Sequence, residues 1–414
     1  MKNILILFAI RSIDAAYTTI AGIVGASTAY FIEKLKQSED YKNTEVSVTV
    51  IDSSGIAPGA SGKAGGFIAA DWNGPDVNSL SQLSWQLHGE LATEFNGKDL
   101  WGYRRVTALS MSAEIGHRKC PQYEHKKFGT NWVDPNVIVS ECTLLGSPNM
   151  CAQVVPRPLV ETLLKHSNAQ FIQAHLISLV RDPSNDNRPS AAVVSDGEKE
   201  WNIPCEEVVF ATGPWTGKVA ASVLTKEESN VTRVDGQRIH SVILQPPSQL
   251  EMSPHCLFVQ LLVRGQAPSE PELFARPDGT AFICGSADDE PVPDKASSVK
   301  IDKDSIAQLK KEASLLSPQH FSTFEGSLTK VVAEQACYMP IPTGSSSNPL
   351  VGTIAPGIHV GAGHSVWGIL LGPGTGKVLA ETILHGKATS ADITRLTPDA
   401  IRNPIPQAEH FYQP

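Results

Sequence analysis

The sequence has no apolar run approaching the roughly 18–20 residues that a bilayer-spanning helix needs. It also has no basic block. Its 34 lysines and arginines face 43 acids, for a net charge of −9, which argues against a nucleic-acid surface. The seven cysteines, at 120, 142, 151, 205, 256, 284 and 337, form no Cys-x-x-Cys and pair with no histidine at metal-ligand spacing. An odd, scattered set fits a reducing cytosolic compartment better than a disulfide framework, and no metal site is expected. No internal repeat or long low-complexity segment interrupts the chain. What is left is an enzyme-like composition, 41% hydrophobic, in 414 residues, enough for two or three domains.

The first residues pose a targeting question. Lys2 followed by Ile4–Ile10 has the outline of a short signal peptide, and Arg11 with Ser12 that of a transit sequence. Asp14 does not suit a transit peptide, and the glycine turn downstream needs a strand before it. A structural strand in a cytosolic chain is therefore expected.

The most informative stretch runs from Gly22 to Asp52. It reads as a glycine turn (Gly22-Ile23-Val24-Gly25), a helix carrying Ala29, Ile32 and Leu35 on one side, and a β-branched strand, Val46–Asp52, ending in a carboxylate. Gly22 lets backbone approach a pyrophosphate, Gly25 lets the helix lie close to a sheet, and the helix N-terminus offers free N–H groups. Asp52 stands where an acid accepts hydrogen bonds from ribose hydroxyls. The outline has a gap, because the first glycine of the fingerprint falls at Ile20. Either Tyr17 to Ala21 is the first strand and Ile20 opens the turn, or Met1 to Leu7 is the strand and a long insertion follows. We take Phe8–Ile20 as an insertion, of the kind a misassigned exon boundary produces.

After Asp52 and Ser53, the run Gly59-Ala-Ser61-Gly62-Lys63-Ala64-Gly65-Gly66-Phe67 is too small-residue-rich for ordinary packing. A flexible linker is one reading. A backbone wrapping a ligand, with N–H groups aimed at anionic oxygens, is favoured because apolar elements flank the run. A helix over Val77–Glu94 carries a core stripe of Leu80, Leu83, Leu87 and Leu91. A strand is expected from Leu100 to Met111, a helix after Val155, and a strand over Phe171–Val180. His117 and His125 lie in a mixed stretch and are assigned no role. Val208–Trp215 ends a buried strand in Thr212-Gly213-Pro214. Arg233–Pro247 reads as a strand, Glu272–Gly285 as a hairpin about Pro277-Asp278-Gly279, and Lys303–Leu316 as an amphipathic helix.

Gly372-Pro-Gly-Thr-Gly-Lys377 is not a phosphate-binding P-loop, since Leu371 stands where its first glycine belongs and Val378 replaces the required Ser or Thr. A helix over Val378–Leu384, its N-terminus set against a cofactor ring, is the better reading.

These motifs, in this order, resemble the FAD-dependent D-amino acid oxidase superfamily from Gly22 to about Gly386. They are Gly22–Tyr30, Asp52, Gly59–Phe67, Ala211–Trp215 and Gly361–Ile369 with Gly376-Lys377. The chain looks most similar to fungal oxidoreductases placed in the cytosol or late endosome, and more distantly to mitochondrial proteins with an FAD-dependent oxidoreductase domain. The resemblance implies an α/β fold, with a glutathione-reductase-type Rossmann FAD-binding domain (1–100, 150–230 and 331–414) and an antiparallel-sheet α+β substrate domain (101–149 and 231–330).

The resemblance further implies FAD as cofactor. Gly22, Ile23, Val24, Gly25, Asp52 and Ser53 would hold the pyrophosphate and ribose, and Ser61, Gly62, Lys63, Ala64, Gly65 and Gly66 the cofactor's middle. Leu176 would meet the adenine through backbone. Ala211, Thr212, Gly213 and Trp215 would pass the pyrophosphate and ribityl chain. Gly363, His364, Gly368, Ile369, Gly372, Thr375, Gly376 and Lys377 would approach the isoalloxazine.

His364 and Arg276 are the catalytic expectations. Amine-oxidising relatives place a carboxylate-gripping arginine near 337–342, where this sequence has Tyr338 and Met339. Sarcosine-oxidase-like relatives attach flavin through a sulfur near Cys337, but a buried structural thiol is favoured there. The implied activity is oxidation of the C–N bond of a small amine or amino acid by hydride transfer to flavin. The alternative is a catalytically weak or inactive FAD-fold protein serving assembly or endosomal trafficking. An NAD-dependent dehydrogenase ranks third. The expected partner is a small-molecule substrate, with no nucleic acid and no membrane span.

Overall fold

The computed structural model describes residues 2–8, 10–11, 17–18, 21–37, 46–116, 128–344 and 346–402. His117, Cys120, His125 and Ile20 lie outside the described residues. Two sheets organise the chain.

The first sheet is six-stranded, in the order Gln170–Ile172, Val46–Asp52, Lys2–Phe8, Glu207–Phe210, Ile358–Ala362 and Leu350–Ala355. All its pairs are parallel except the last. Lys2–Phe8 is thus a central strand, with Phe8 opposite Asp52 and Leu7 opposite both Ile51 and Phe210. Tyr17–Thr18 does not join this sheet and pairs instead with Ile10–Arg11. The chain re-enters the sheet region where Ala21 bridges Ile56, so an extra segment separates the first strand from the glycine turn. Glu207–Phe210 and Ile358–Ala362 are buried along their whole length, apolar except for Glu207 and His359.

The helix Ile23–Lys36 is buried on nearly every side from Ile23 to Glu33. Its small residues, such as Gly25, Ala26 and Ser27, let a neighbouring helix come close. It packs against Gly368–His385, whose own glycines admit it: a Cβ on Gly376 would lie 2.4 Å from the Ser27 Cβ, and one on Gly372 2.4 Å from the Ile23 side chain. Together with Pro75–Glu94 and Pro156–Lys165 these helices enclose a core that includes Leu80, Leu87, Leu91, Leu159 and Leu379.

The second sheet is seven-stranded, in the order Lys330–Pro342, Val234–Gln245, Ala281–Asp288, Glu272–Ala275, His255–Val263, Thr107–Ile115 and Ile138–Gly146. One pair, His255–Val263 with Thr107–Ile115, is parallel and the rest are antiparallel. The boundary expected at 331 falls inside the edge strand Lys330–Pro342, which pairs along its length with Val234–Gln245. The chain therefore leaves this sheet only after Pro342.

Three expected elements differ. The strand over Phe171–Val180 is two strands in separate sheets, Gln170–Ile172 and His175–Asp182. The strand from Leu100 is broken into a helical turn, Gly97–Leu100, and the strands Arg104–Arg105 and Thr107–Ile115. Gly102 makes the break, with φ +63° and a Cβ position only 2.6 Å from the Pro277 ring. The last long helix begins at Gly368 rather than Val378. Its glycines and Pro373 score badly as helix formers, but packing against two other helices outweighs that preference.

No helix among the described residues is long and apolar enough to cross a membrane. Nor does any group of three or more His, Cys, Asp or Glu among them stand ready to hold a metal ion.

Candidate active site

The parallel strands of the first sheet end at one place. Ala211 and Gly213 follow Glu207–Phe210, Gly361 and Ala362 close Ile358–Ala362, and all four line a cavity of about 330 Å³. The crevice at the carboxyl ends of parallel strands is where such sheets bind ligands. The turn residues Gly22, Ile23 and Val24 form one side of this cavity, Ser61, Lys63, Ala64 and Gly65 another, and His364, Gly368 and Ile369 a third. The second sheet closes it with Ile239, Ser241, Phe258, Glu272, Phe274, Phe282, Cys284 and Cys337. Phe67, Trp72 and Trp367 complete an aromatic wall, with Phe67 5.4 Å from Phe258 and Trp72 6.1 Å from Trp367, ring centre to ring centre.

Each wall has a local cause. Gly22 caps the helix Ile23–Lys36 without a side chain, and Ser61 Oγ accepts the Ile23 N–H at 3.0 Å. The loop carrying Ser61 is pinned from behind by Arg157, which donates to the Ile56 and Ala57 carbonyls at 2.8 and 2.9 Å. Gly66 has φ +82°, and a Cβ there would sit 1.8 Å from the Val154 carbonyl oxygen, so only glycine lets the loop turn so close to Val154. Lys63 donates to the Ala336 carbonyl at 2.9 Å. Burial lowers its ammonium below the usual value, against an opposing pull from the Cys337 thiol. Gly363 sits at φ +75°, and Ser365 holds a left-handed φ of 50° at the cavity's lip.

Burial also sets the protonation of the other groups. His364 is pushed down to about 4 and is a neutral imidazole, its Nε2 3.0 Å from Thr375 Oγ1. Burial pushes the Cys337 thiol up to about 11, with Lys63 pulling the other way, so a neutral thiol faces the cavity at pH 7. Burial raises Glu272 from its ordinary value, partly offset by the Cys284 Sγ–H that reaches its Oε2 at 3.6 Å.

Several residues expected at the site lie elsewhere. Arg276 is not in the cavity lining. Its Nη2 donates to the Ala64 carbonyl at 3.1 Å and its guanidinium lies 5.2 Å from the Phe282 ring centre, so it braces the loop behind the cavity. Gly372 and Gly376 serve the contact between helices, as their missing Cβ atoms show, and Lys377 follows them on the same helix. Thr375 reaches the site only through His364. Leu176 packs with Ala192, Val194 and Phe210 in the core beneath the first sheet. Trp215 joins that core and donates Nε1–H to the Pro293 carbonyl at 2.6 Å, and Thr212 hydrogen-bonds Thr216 at 2.9 Å. Gly25 is buried in its helix, and Gly62 abuts the Ala57 carbonyl. Asp52 is buried at the end of its strand, accepting the Ser54 N–H at 2.7 Å, and Ser53 offers its carbonyl to Gln173 at 3.2 Å.

Glu272, Phe258, Phe274, Phe282 and Cys284 were not anticipated. For all of these but Phe258 the signal was in the sequence, because alternation along Glu272-Leu-Phe274 and Phe282-Ile-Cys284 places them on one face of a hairpin.

The family described as FAD dependent oxidoreductase (DAO) matches residues 21–382, spanning all of these walls. The chain belongs to this family. Among named relatives, an oxidoreductase-named protein of Schizosaccharomyces pombe is 33% identical over 398 residues, covering 91% of this chain and 96% of that one. The oxidoreductase-named TDA3 of Saccharomyces cerevisiae is 26% identical, covering 91% and 92%. Among solved structures, iminodiacetate oxidase from Chelativorans superposes with a TM-score of 0.68 at 19% identity, covering 96% of this chain and 99% of that one. Glycine oxidase from Bacillus cereus gives 0.66 at 16% identity, with 93% and 95% covered. This FAD-dependent oxidoreductase family member thus has the expected α/β architecture.

Its cavity fits a flavin. Its lining combines a helix N-terminus and small-residue backbone, which offer the N–H donors that phosphates need, with an apolar aromatic wall of the kind a ring system needs.

Proposed function

We propose that this chain binds FAD in the cavity and oxidises the C–N bond of a small amine or amino acid. One observation carries the reading: Gly22–Val24 and the segment 361–369 apart from Gly363, from opposite ends of the chain, line the same cavity against an aromatic roof. Bound FAD supplies the hydride acceptor, and few catalytic side chains are then needed. Gly22, Ile23 and Val24 would hold phosphate, Ser61 to Gly65 the middle of the cofactor, and His364, Gly368 and Ile369 the ring. Neutral His364 would hold the loop before the helix Gly368–His385, and the aromatic wall would keep water from the reacting carbon.

The reading of a catalytically weak protein serving assembly or trafficking draws on a specific feature: the cavity lining has no arginine among the described residues. A cytoplasmic site of action, with late-endosomal association, rests on the fungal resemblance alone. The test is to purify the chain, record its visible spectrum, and present a panel of amines and amino acids anaerobically. A yellow protein bleached by one of the panel is the expected result. A colourless protein that takes up no added FAD would sink the proposal, and a yellow one that none of them bleaches would favour the weak-enzyme reading.

A further inference from the structure

One row of side chains crosses the second sheet above the cavity. Ser241 stands opposite Cys284, Cys284 opposite Glu272, and Glu272 opposite Phe258. Phe274 and Phe282 lie two residues along on the same face, their rings stacked 5.9 Å apart. Among the described residues the lining carries one carboxyl, Glu272, and one ammonium, Lys63. Lys63 is committed to the Ala336 carbonyl. Glu272 is not committed in the same way. Its Oε2 meets only the weak Cys284 thiol donor, and its Oε1 accepts no hydrogen bond from the described residues.

A carboxyl held among ring faces is poorly solvated as a bare anion. The ligand that both the acid and the rings favour is a cation, which pairs with the carboxylate and draws on the negative faces of the rings. A substrate carboxylate, by contrast, finds no guanidinium in this wall. We infer that the sheet-side wall is an ammonium subsite, so that the substrate is a cationic amine without a carboxylate beside the reacting carbon, and Glu272 is its anionic partner. Phe258 and Phe274 supply ring faces to the same cation. The inference rests on the amine-oxidising reading above and narrows it.

Benzyltrimethylammonium and benzoate separate the possibilities as probes, read by quenching of tryptophan fluorescence, since Trp72 and Trp367 border the cavity. Flavin absorbance is recorded on the same purified full-length chain. The cation is expected to bind saturably and at least tenfold more tightly than benzoate. Glu272→Gln should weaken cation binding at least tenfold with flavin absorbance retained, and Phe258→Leu should weaken it several-fold. Benzoate binding as tight as the cation's, or a Glu272→Gln variant that binds the cation undiminished, overturns the inference. If Glu272→Gln does not fold, the comparison of the two probes on the unaltered chain decides alone. A colourless protein that binds the cation would count against the flavin reading and leave the subsite standing.

Discussion

Nε2 of His88 lies 2.9 Å from the carbonyl oxygen of Ile369, the group that Pro373 leaves without a partner inside its own helix. Burial pushes His88 down to about 4, so the ring is neutral, and its Nδ1 has no hydrogen-bond partner. The proton therefore sits on Nε2 and is donated to the Ile369 and Leu370 carbonyls. Ser84 completes the repair, accepting the Gly374 N–H at 2.8 Å and donating to the Leu371 carbonyl at 3.2 Å. One helix thus mends the proline break in another, beside the residue that enters the cavity.

Removing the ring should expose this dependence. His88→Ala is expected to destabilise the fold by about 2–4 kcal/mol, through a lost hydrogen bond and a cavity. Pro373→Ala should return an N–H to the Ile369 carbonyl and recover part of that loss in the double variant. Urea denaturation of the four proteins measures the coupling.

Acid should weaken the fold in a defined window. His88 and His364 are both held near 4 when folded, against an ordinary value of 6.5. The unfolded chain therefore binds more protons between those values, and stability is full above about 6.5 and lost as pH falls toward about 4. The expected slope is up to about 1.4 kcal/mol per pH unit for each ring. Thermal melts from pH 7 to 4.5 should show it, and His88→Gln should flatten it.

Gly376 offers a steric test. A methyl group there meets the Ser27 Cβ at 2.4 Å, the Ser27 carbonyl carbon at 2.5 Å and the Thr28 nitrogen at 2.6 Å, and the backbone atoms cannot step aside. Gly376→Ala should cost about 1–3 kcal/mol by overpacking. Gly344→Ala, where nothing lies within 4 Å, should stay within about 0.5 kcal/mol, as open positions usually do. Melting temperatures of the two variants, side by side, decide it.

Beneath the first sheet, His359 Nε2 is 2.8 Å from Glu207 Oε2, and Arg188 reaches Glu207 Oε1 at 2.8 Å. Burial raises the Glu207 carboxyl, but His359 and Arg188 outweigh it and hold the group below its usual range. Glu207→Ala leaves the buried imidazole without its acceptor and should cost about 3 kcal/mol. Chemical denaturation at pH 7 checks the value.

Much of this architecture was legible because it obeys short-range rules. The Gly22 turn, the strand Val46–Asp52 and the leucine stripe of Pro75–Glu94 each follow from local spacing and hold in the structure. Gly372 and Gly376 misled because glycine suits both a ligand's approach and a close helix contact, and only the position of Ser27 and Ile23 tells them apart. Arg276 misled for a similar reason: a hairpin turn can present a guanidinium to a cavity or tuck it behind one, and the Ala64 carbonyl made the choice. The aromatic wall was harder to read because Phe67 and Trp72 lie far along the sequence from Phe258, Phe274 and Phe282, and Trp367 lies farther on still, so only the fold brings them together.

The walls of the cavity come from residue 22 and from residue 369, with the second sheet folded between them. During synthesis the turn at Gly22 emerges early and can engage Ser61, yet the wall of His364, Gly368 and Ile369 is missing until the helix beginning at Gly368 has left the ribosome. Capture of a ligand in this cleft is therefore an event of the finished polypeptide. Until then the growing chain must shelter an open, greasy half-site by other means.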